Sequence, residues 1–226
     1  MTSEHRPSTP SDRAEVDRQI ATIYRAYQKE LQDNNAVDFD DLLMRSVTTL
    51  RDNEEILRKY QERFDYILID EYQDTNRPQY LLARSLAARH QNICVVGDDD
   101  QSIYGFRGSD VRHILNFKRD WPAAVTVRLE SNYRSTEAIL EVASRLIRFN
   151  GSRYDKVLRA ARAGGQKPRI EQYADEEHEA QQVVSSIRHD MEANGRLPRD
   201  IAILFRTNEQ PRLFETELRK HDIPYV

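Results

Sequence analysis

Short apolar runs alternate along this chain with amphipathic helical stretches, and that alternation predicts an α/β fold of parallel sheets flanked by helices on both faces. Two of the runs end abruptly in acid clusters, as strands do when their carboxyl ends carry a site. In order, residues 1–13 are rich in Ser, Thr and Pro and read as a disordered tail. Ala14 to Gln32 reads as a helix, with Val16, Ile20, Ile23, Tyr24, Tyr27 and Leu31 at helical spacing. Asp38 to Leu42 opens a second helix with acids in its first turn, where the helix dipole favours them; a third covers Glu54 to Arg63. Phe64–Ile69 is the first strand candidate, Arg77–His90 a helix, Asn92–Val96 the second strand candidate, and Val111–Phe117 helical. Ala124–Leu129 is a third strand candidate, followed by a helix from Ser135 to Phe149 that Asn150-Gly151 would close with a left-handed cap. Pro168–Tyr173, Ile201–Phe205 and the segment from Ile223 read as further strands, with helices over Glu176–Glu192 and Glu209–His221 between them.

The 226 residues suit one large domain or two small ones. With 38% apolar and 32% charged residues, the composition is that of a soluble globular protein. No run approaches the length of a membrane span, and the polar first ten residues hold no signal-peptide core. One cysteine, Cys94, excludes an intramolecular disulfide and a cysteine-based zinc cluster, and fits a reducing compartment. A net charge of −4 gives no global attraction for nucleic acid, so any such contact must come from local patches. Of the 34 basic residues only six are lysine. Arginine suits bidentate phosphate contacts, although genome composition produces the same bias.

Three segments carry candidate chemistry. The first is Asp70-Glu71-Tyr72-Gln73-Asp74, at the end of an apolar run. A carboxylate in that place is how nucleotide hydrolases hold Mg²⁺ against the β- and γ-phosphates, and an adjacent Glu is placed to orient or deprotonate the attacking water. A plain acidic turn is the alternative. The second is Gly97 to Gly108. Its three consecutive acids, Asp98 to Asp100, either bind a divalent metal or form a solvated loop. Gln101 can sense a phosphate by hydrogen bonding. Tyr104, Phe106 and Arg107 can stack on unpaired bases, or the aromatics can be tucked into a core. The third is Asn132-Tyr133-Arg134-Ser135-Thr136. Ser135 or Thr136 can cap the following helix, Arg134 can add to an anion site at its start, and Tyr133 can stack on a purine; an ordinary cap with a surface arginine is the alternative.

Together, Asp-Glu-Tyr-Gln-Asp-Thr-Asn (70–76), Gly-Asp-Asp-Asp-Gln-Ser-Ile-Tyr (97–104) and Asn-Tyr-Arg-Ser-Thr (132–136) have the order and spacing of the UvrD/Rep-type superfamily 1 ATP-dependent DNA helicases, and the chain resembles that family from about residue 14 onward. Val37 to Leu42 and Phe205-Arg206-Thr207-Asn208 resemble it too. The resemblance implies RecA-like parallel sheets, ATP and Mg²⁺ as cofactors, single-stranded DNA and DNA junctions as partners, work beside repair or replication proteins, and a cytoplasmic, nucleoid-associated location. It implies that Asp70 holds Mg²⁺, that Glu71 activates water, and that Gln73 and Gln101 couple the γ-phosphate to the DNA site. Tyr133 would stack on adenine and Arg134 would contact the γ-phosphate. Tyr104, Phe106 and Arg107 would line the single-strand path, with Arg206 and Asn208 as candidate backbone contacts. The family usually has Trp where Phe106 stands; Phe still stacks, with less area.

The same sequence lacks a phosphate loop. Gly-x₄-Gly-Lys-Ser/Thr needs two glycines five apart and a lysine after the second. None of the seven glycines (97, 105, 108, 151, 164, 165 and 195) meets either condition. The simplest expectation is a fragment with both motor domains incomplete. Residues 14–34 would end a helical insertion subdomain, 35–130 would be the C-terminal half of the first RecA-like domain, and 131–226 the N-terminal half of the second. Such a fragment would be inactive alone and would need the missing segments of the same helicase. The competing expectation is a short, non-hydrolysing DNA- or helicase-binding protein derived from the helicase fold, against which the Asp70-Glu71 pair and Gln101 argue.

Overall fold

The computed structural model describes residues 10–151 and 153–226. It is mixed α/β with two small parallel sheets. Packing divides the chain into two units, one ending at Ala163 and the other spanning Gly164–Val226. The junction expected at residue 130 falls inside the first unit.

The first unit opens with helix α1, Pro10–Asp33. Residues 10–13, expected in the tail, therefore begin a helix; residues 1–9 lie outside the described residues. Helix α2, Phe39–Asp52, starts at Asp38, whose side chain accepts the Asp41 amide N–H at 2.7 Å. The capping carboxylate satisfies a donor that the first helical turn leaves unpaired. Helix α3 covers Glu54–Arg63. Strand β1, Ile67–Ile69, then pairs in parallel with β2, Ile93–Val95, and helix α4, Arg77–Ala87, makes the crossover between them. Asn76 and Gln79 cap α4 reciprocally, each side chain taking the other's backbone N–H. The ladder sets Ile67 against Ile93 and Ile69 against Val95. Both strands are shorter than the apolar runs that announce them. Leu68, between the two ladder ends, is 76% exposed, so the expectation that helices cover both faces is not met here among the described residues.

Two single-turn helices, α5 (Arg112–Leu115) and α6 (Phe117–Asp120), replace the continuous helix expected over 111–117. The core of this unit gathers Tyr72, Tyr80 and Ile114, with Ile69, Val95, Phe117 and Tyr154 packed against them. Tyr80 stacks on His113 at 4.4 Å between ring centroids, and Tyr72 meets Phe117 edge-on.

The second sheet differs from expectation. Ala124–Leu129 is not a strand: Val125, Val127 and Leu129 are 75–88% exposed and enter no ladder. An apolar run becomes a strand only where a neighbour takes its backbone groups. The ladder begins just after it, in β3, Ser131–Thr136, which pairs in parallel with β4, Arg159–Arg162, across an irregularity between Asn132 and Thr136. Helix α7 follows at Glu137–Ile147. Thr136 sits at its cap position without a side-chain hydrogen bond, and the helix ends at Arg148 in ordinary right-handed geometry, so the left-handed Asn150-Gly151 cap is not formed.

The second unit holds helix α8, Glu176–Asn194, and helix α9, Pro211–Lys220. Asp175 caps the start of α8, and Gly195 ends it in the left-handed region at φ 63°, where a glycine carries no Cβ penalty. Val184, Leu218 and Ile223 form its core with Ile187, Met191 and Ile203. The runs 168–173, 201–205 and 223–226 are not strands in the structure. Ile203 and Ile223 are spent on the helix pair instead. No described helix is long and apolar enough to cross a membrane.

Candidate nucleotide and nucleic-acid site

The acid clusters at the ends of β1 and β2 stand side by side because the ladder continues past both strands. Val96 N–H donates to Ile69 O at 2.8 Å and Tyr72 N–H donates to Val96 O at 3.0 Å. Glu71 then turns the chain with φ 50° and ψ 42°, a left-handed conformation that is costly for a residue with a Cβ. The turn puts Tyr72 and Gln73 inside, Gln73 being only 1% exposed, while Asp70 and Glu71 stay at the surface.

Gln73 is the link. Its Nε2 donates to Glu71 Oε2 at 2.7 Å, and its Oε1 accepts the Asp98 amide N–H at 2.9 Å. Both ends of the buried amide are satisfied, which fixes its orientation. Asp98 in turn accepts Gln101 Nε2 on Oδ2 at 2.7 Å. Glu71, Gln73, Asp98 and Gln101 thus form one connected network. Gly97 makes the approach feasible: a Cβ there would lie 2.5 Å from Gln73 Oε1 and 3.2 Å from the Tyr72 nitrogen. Asp70 Oδ1 accepts the Glu71 N–H at 2.9 Å, and its other oxygen takes no hydrogen bond among the described residues. Asp74 has a buried oxygen, Oδ1, with no partner among the described residues, and burial, then the Glu71 charge, pushes its carboxyl above the ordinary range. Carboxylate oxygens suit a hard divalent cation, and the second Asp70 oxygen could serve as one such donor. Among the described residues no group of three or more acidic, His or Cys side chains is gathered as a ready-made metal cage.

The triple acid is neither a solvated loop nor an open metal site. Asp99 is buried and accepts the Tyr154 N–H at 2.7 Å. Arg153 grips Asp100 with two bonds, of 2.9 and 2.8 Å. Lys156 is bonded to Asp98 and Asp99 and lies 3.2 Å from Asp100. Burial disfavours the charge of both Lys156 and Asp98, but their mutual contact wins: the ammonium pKa is raised and the Asp98 carboxyl pKa is lowered. Sequence reasoning missed Arg153 and Lys156. The only local signal was the rarity of lysine.

The aromatic loop is open to solvent. Residues Gly105–Arg107 make one 3₁₀ turn closed by Gly108 at φ 84°. Phe106 is 78% and Tyr104 38% exposed, and the Arg107 guanidinium lies 5.4 Å from each ring centre. The rings are therefore not core residues. The loop is tied back to the first cluster through Thr75, whose carbonyl accepts the Asp110 N–H at 3.1 Å, with His113 Nδ1 3.1 Å from the same oxygen. Tyr133 (76% exposed) and Arg134 lie on β3, and no hydrogen bond among the described residues joins them to Asp70, Glu71 or Gln101. Arg134 donates its N–H to Asn132 Oδ1 at 3.1 Å. In the second unit Arg206 and Asn208 are exposed, and the Arg206 N–H donates to Gln210 Oε1 at 2.8 Å.

Comparison with known proteins completes the description. Residues 2–122 match the UvrD/REP helicase N-terminal domain and residues 127–226 the UvrD-like helicase C-terminal domain. The chain is 45% identical over 208 residues to the ATP-dependent DNA helicase PcrA of Staphylococcus aureus (strain Mu50 / ATCC 700699), and 46% identical to that of Staphylococcus epidermidis (strain ATCC 12228 / FDA PCI 1200). Each match covers 92% of this chain and 28% of the relative, so the chain spans little more than a quarter of the relatives' length. With the acid-tipped strands, the glutamine link and both domain matches in register, the chain belongs to the UvrD/Rep helicase family.

Proposed function

We propose that these residues are the central part of an ATP-dependent DNA helicase that moves 3′ to 5′ on single-stranded DNA, acts at DNA junctions, and works in the cytoplasm on the nucleoid beside repair or replication proteins. Residues 14–34 would then end a helical insertion, 35–130 complete the first RecA-like domain and 131–226 begin the second, a division that the ends of the two family matches support. On this reading the chain is inactive alone, because the phosphate loop and its lysine are absent from its sequence.

The observation that carries the reading is the buried Gln73 amide, which joins the Glu71 carboxylate to the segment bearing Gln101. Glu71 commits Oε2 to Gln73, and Oε1, without a bond among the described residues, remains to take a proton from the attacking water. The hydrogen bond from Gln73 orients that carboxylate. Asp70 would hold Mg²⁺, which when bound neutralises charge developing on the β- and γ-phosphates. Gln101 would sense the γ-phosphate, so that gain or loss of that group tugs on Asp98 and Gln73 and, through Thr75, on the aromatic loop. Tyr133 would stack on adenine and Arg134 would meet the γ-phosphate. Tyr104, Phe106 and Arg107 offer stacking faces and a cation to unpaired bases, and Arg206 and Asn208 would contact the DNA backbone.

The test is Glu71→Gln in the full-length protein. DNA-stimulated ATP hydrolysis is expected to fall by roughly 10²–10⁴-fold, the usual contribution of a positioned general base, with ATP and DNA binding retained. Unchanged hydrolysis would sink the assignment.

A further inference from the structure

We infer that Lys156 is a positioning residue for ATP hydrolysis, holding Gln101 and Gln73 in place through Asp98. The inference deepens the proposed function and rests on its assignment of Gln101 to the γ-phosphate. Of the three carboxylates that Lys156 meets, Asp98 is the one bonded to both glutamines. Asp98 presents Oδ1 to Lys156 and Oδ2 to Gln101, while its own N–H is held by Gln73. Gln73 passes the constraint to Glu71. Lys156 is therefore one bonded residue away from each functional glutamine.

The contact is partly shielded: the side chains of Lys156 and Asp98 are 16% and 29% exposed, and those of Asp99 and Asp100 are 3% and 13% exposed. Three carboxylates held this close would repel one another without a cation among them. Arg153 supplies a second cation, but only to Asp100, which bonds neither glutamine. Tyr154, between the two, anchors the strap Arg153–Lys156 by sharing its hydroxyl proton between the Ile114 and Leu115 carbonyls, each at 3.1 Å. On the domain division proposed above, the strap belongs to the second motor segment and the acidic loop to the first. Lys156 would then let the position of one motor segment bear on the γ-phosphate sensor of the other.

The two cations allow a controlled experiment in the full-length protein. Lys156→Met removes ion pairs to three carboxylates and Arg153→Met removes the one to Asp100, so a merely structural role predicts kcat losses that follow the losses of stability, read by urea denaturation of both variants. If Lys156 acts through Asp98, K156M lowers kcat for DNA-stimulated ATP hydrolysis by about 10–100-fold, the usual cost of losing a partner one bond behind a functional group. KM for ATP should change by less than about twofold, K156R should recover most of kcat, and R153M should keep kcat. In a double-mutant cycle, K156M combined with Gln101→Ala should lose less than the two single losses together, because part of the Lys156 effect runs through Gln101. Should K156M not fold, Asp98→Asn opens the same contact from the other side and enters the same cycle. Losses of kcat in K156M and R153M that follow their losses of stability, or additive losses with Q101A, overturn the inference while leaving the proposed function standing. A wild-type protein without DNA-stimulated hydrolysis removes the proposed function, and the inference falls with it.

Discussion

At the ends of β1 and β2, Gln73 is 1% exposed and both ends of its amide are bonded; in the loop that follows β2, Phe106 is 78% exposed and its ring faces Tyr104 and Arg107. The two regions share one unit, and Thr75 ties them together. One region is held rigidly by side-chain and backbone hydrogen bonds, as groups that must meet a transition state are best held. The other keeps its rings exposed to solvent, where, on the proposed function, unpaired bases of any sequence would stack. The difference teaches where each kind of substitution should act: changes in the network disturb hydrolysis or folding, and changes in the loop disturb binding.

The largest structural break should come at Gly97. A Cβ at this position meets Gln73 Oε1, the Ile114 Cδ1 at 2.9 Å and the Tyr72 backbone at once, and backbone yields poorly. Gly97→Ala should cost about 1–3 kcal/mol, the range for overpacking a tight site, and should lower kcat because Gln73 must move. Urea denaturation and steady-state ATP hydrolysis check both. An unchanged midpoint would mean that the network is looser than the distances imply. A smaller effect lies at Asn76, at the other end of the same segment. Asn76→Ala removes one half of the cap on α4 and should cost about 1 kcal/mol without changing kcat, because α4 supports the first cluster but bonds none of its four network residues. A loss of kcat in Asn76→Ala larger than its loss of stability would show that the cap belongs to the network.

Sequence was legible where local chemistry or a nearby strand partner decides the structure. Asp38 before acids and apolar residues marks a helix start through local chemistry, and its cap is formed. The runs at 64–69 and 92–96 mark β1 and β2 because each has the other as a neighbour. The runs at 124–129, 168–173 and 201–205 look as strand-like, yet no strand pairs with them in the structure. Strand β3 carries Ser-Asn-Tyr-Arg-Ser-Thr, which has no apolar pattern, and its partner β4 lies more than twenty residues downstream. Pairing is a long-range property, and local periodicity does not report it. The same holds for the candidate site. Asp70, Glu71, Gln73 and Gln101 stand out because acids and amides end apolar runs. Lys156 does not, because its partner Asp98 is 58 positions away.

The most direct test compares Glu71→Gln with Phe106→Ala in the full-length protein, with ATP hydrolysis measured against single-stranded DNA concentration. The account predicts opposite single losses. E71Q should bind DNA as the wild type does, with its maximal rate nearly abolished. F106A should reach a near-normal maximal rate only at DNA concentrations roughly 5–150-fold higher, which is what losing one base stack of about 1–3 kcal/mol implies. If both variants instead lose maximal rate and DNA affinity together, the two regions are not a rigid hydrolytic network and an open binding loop.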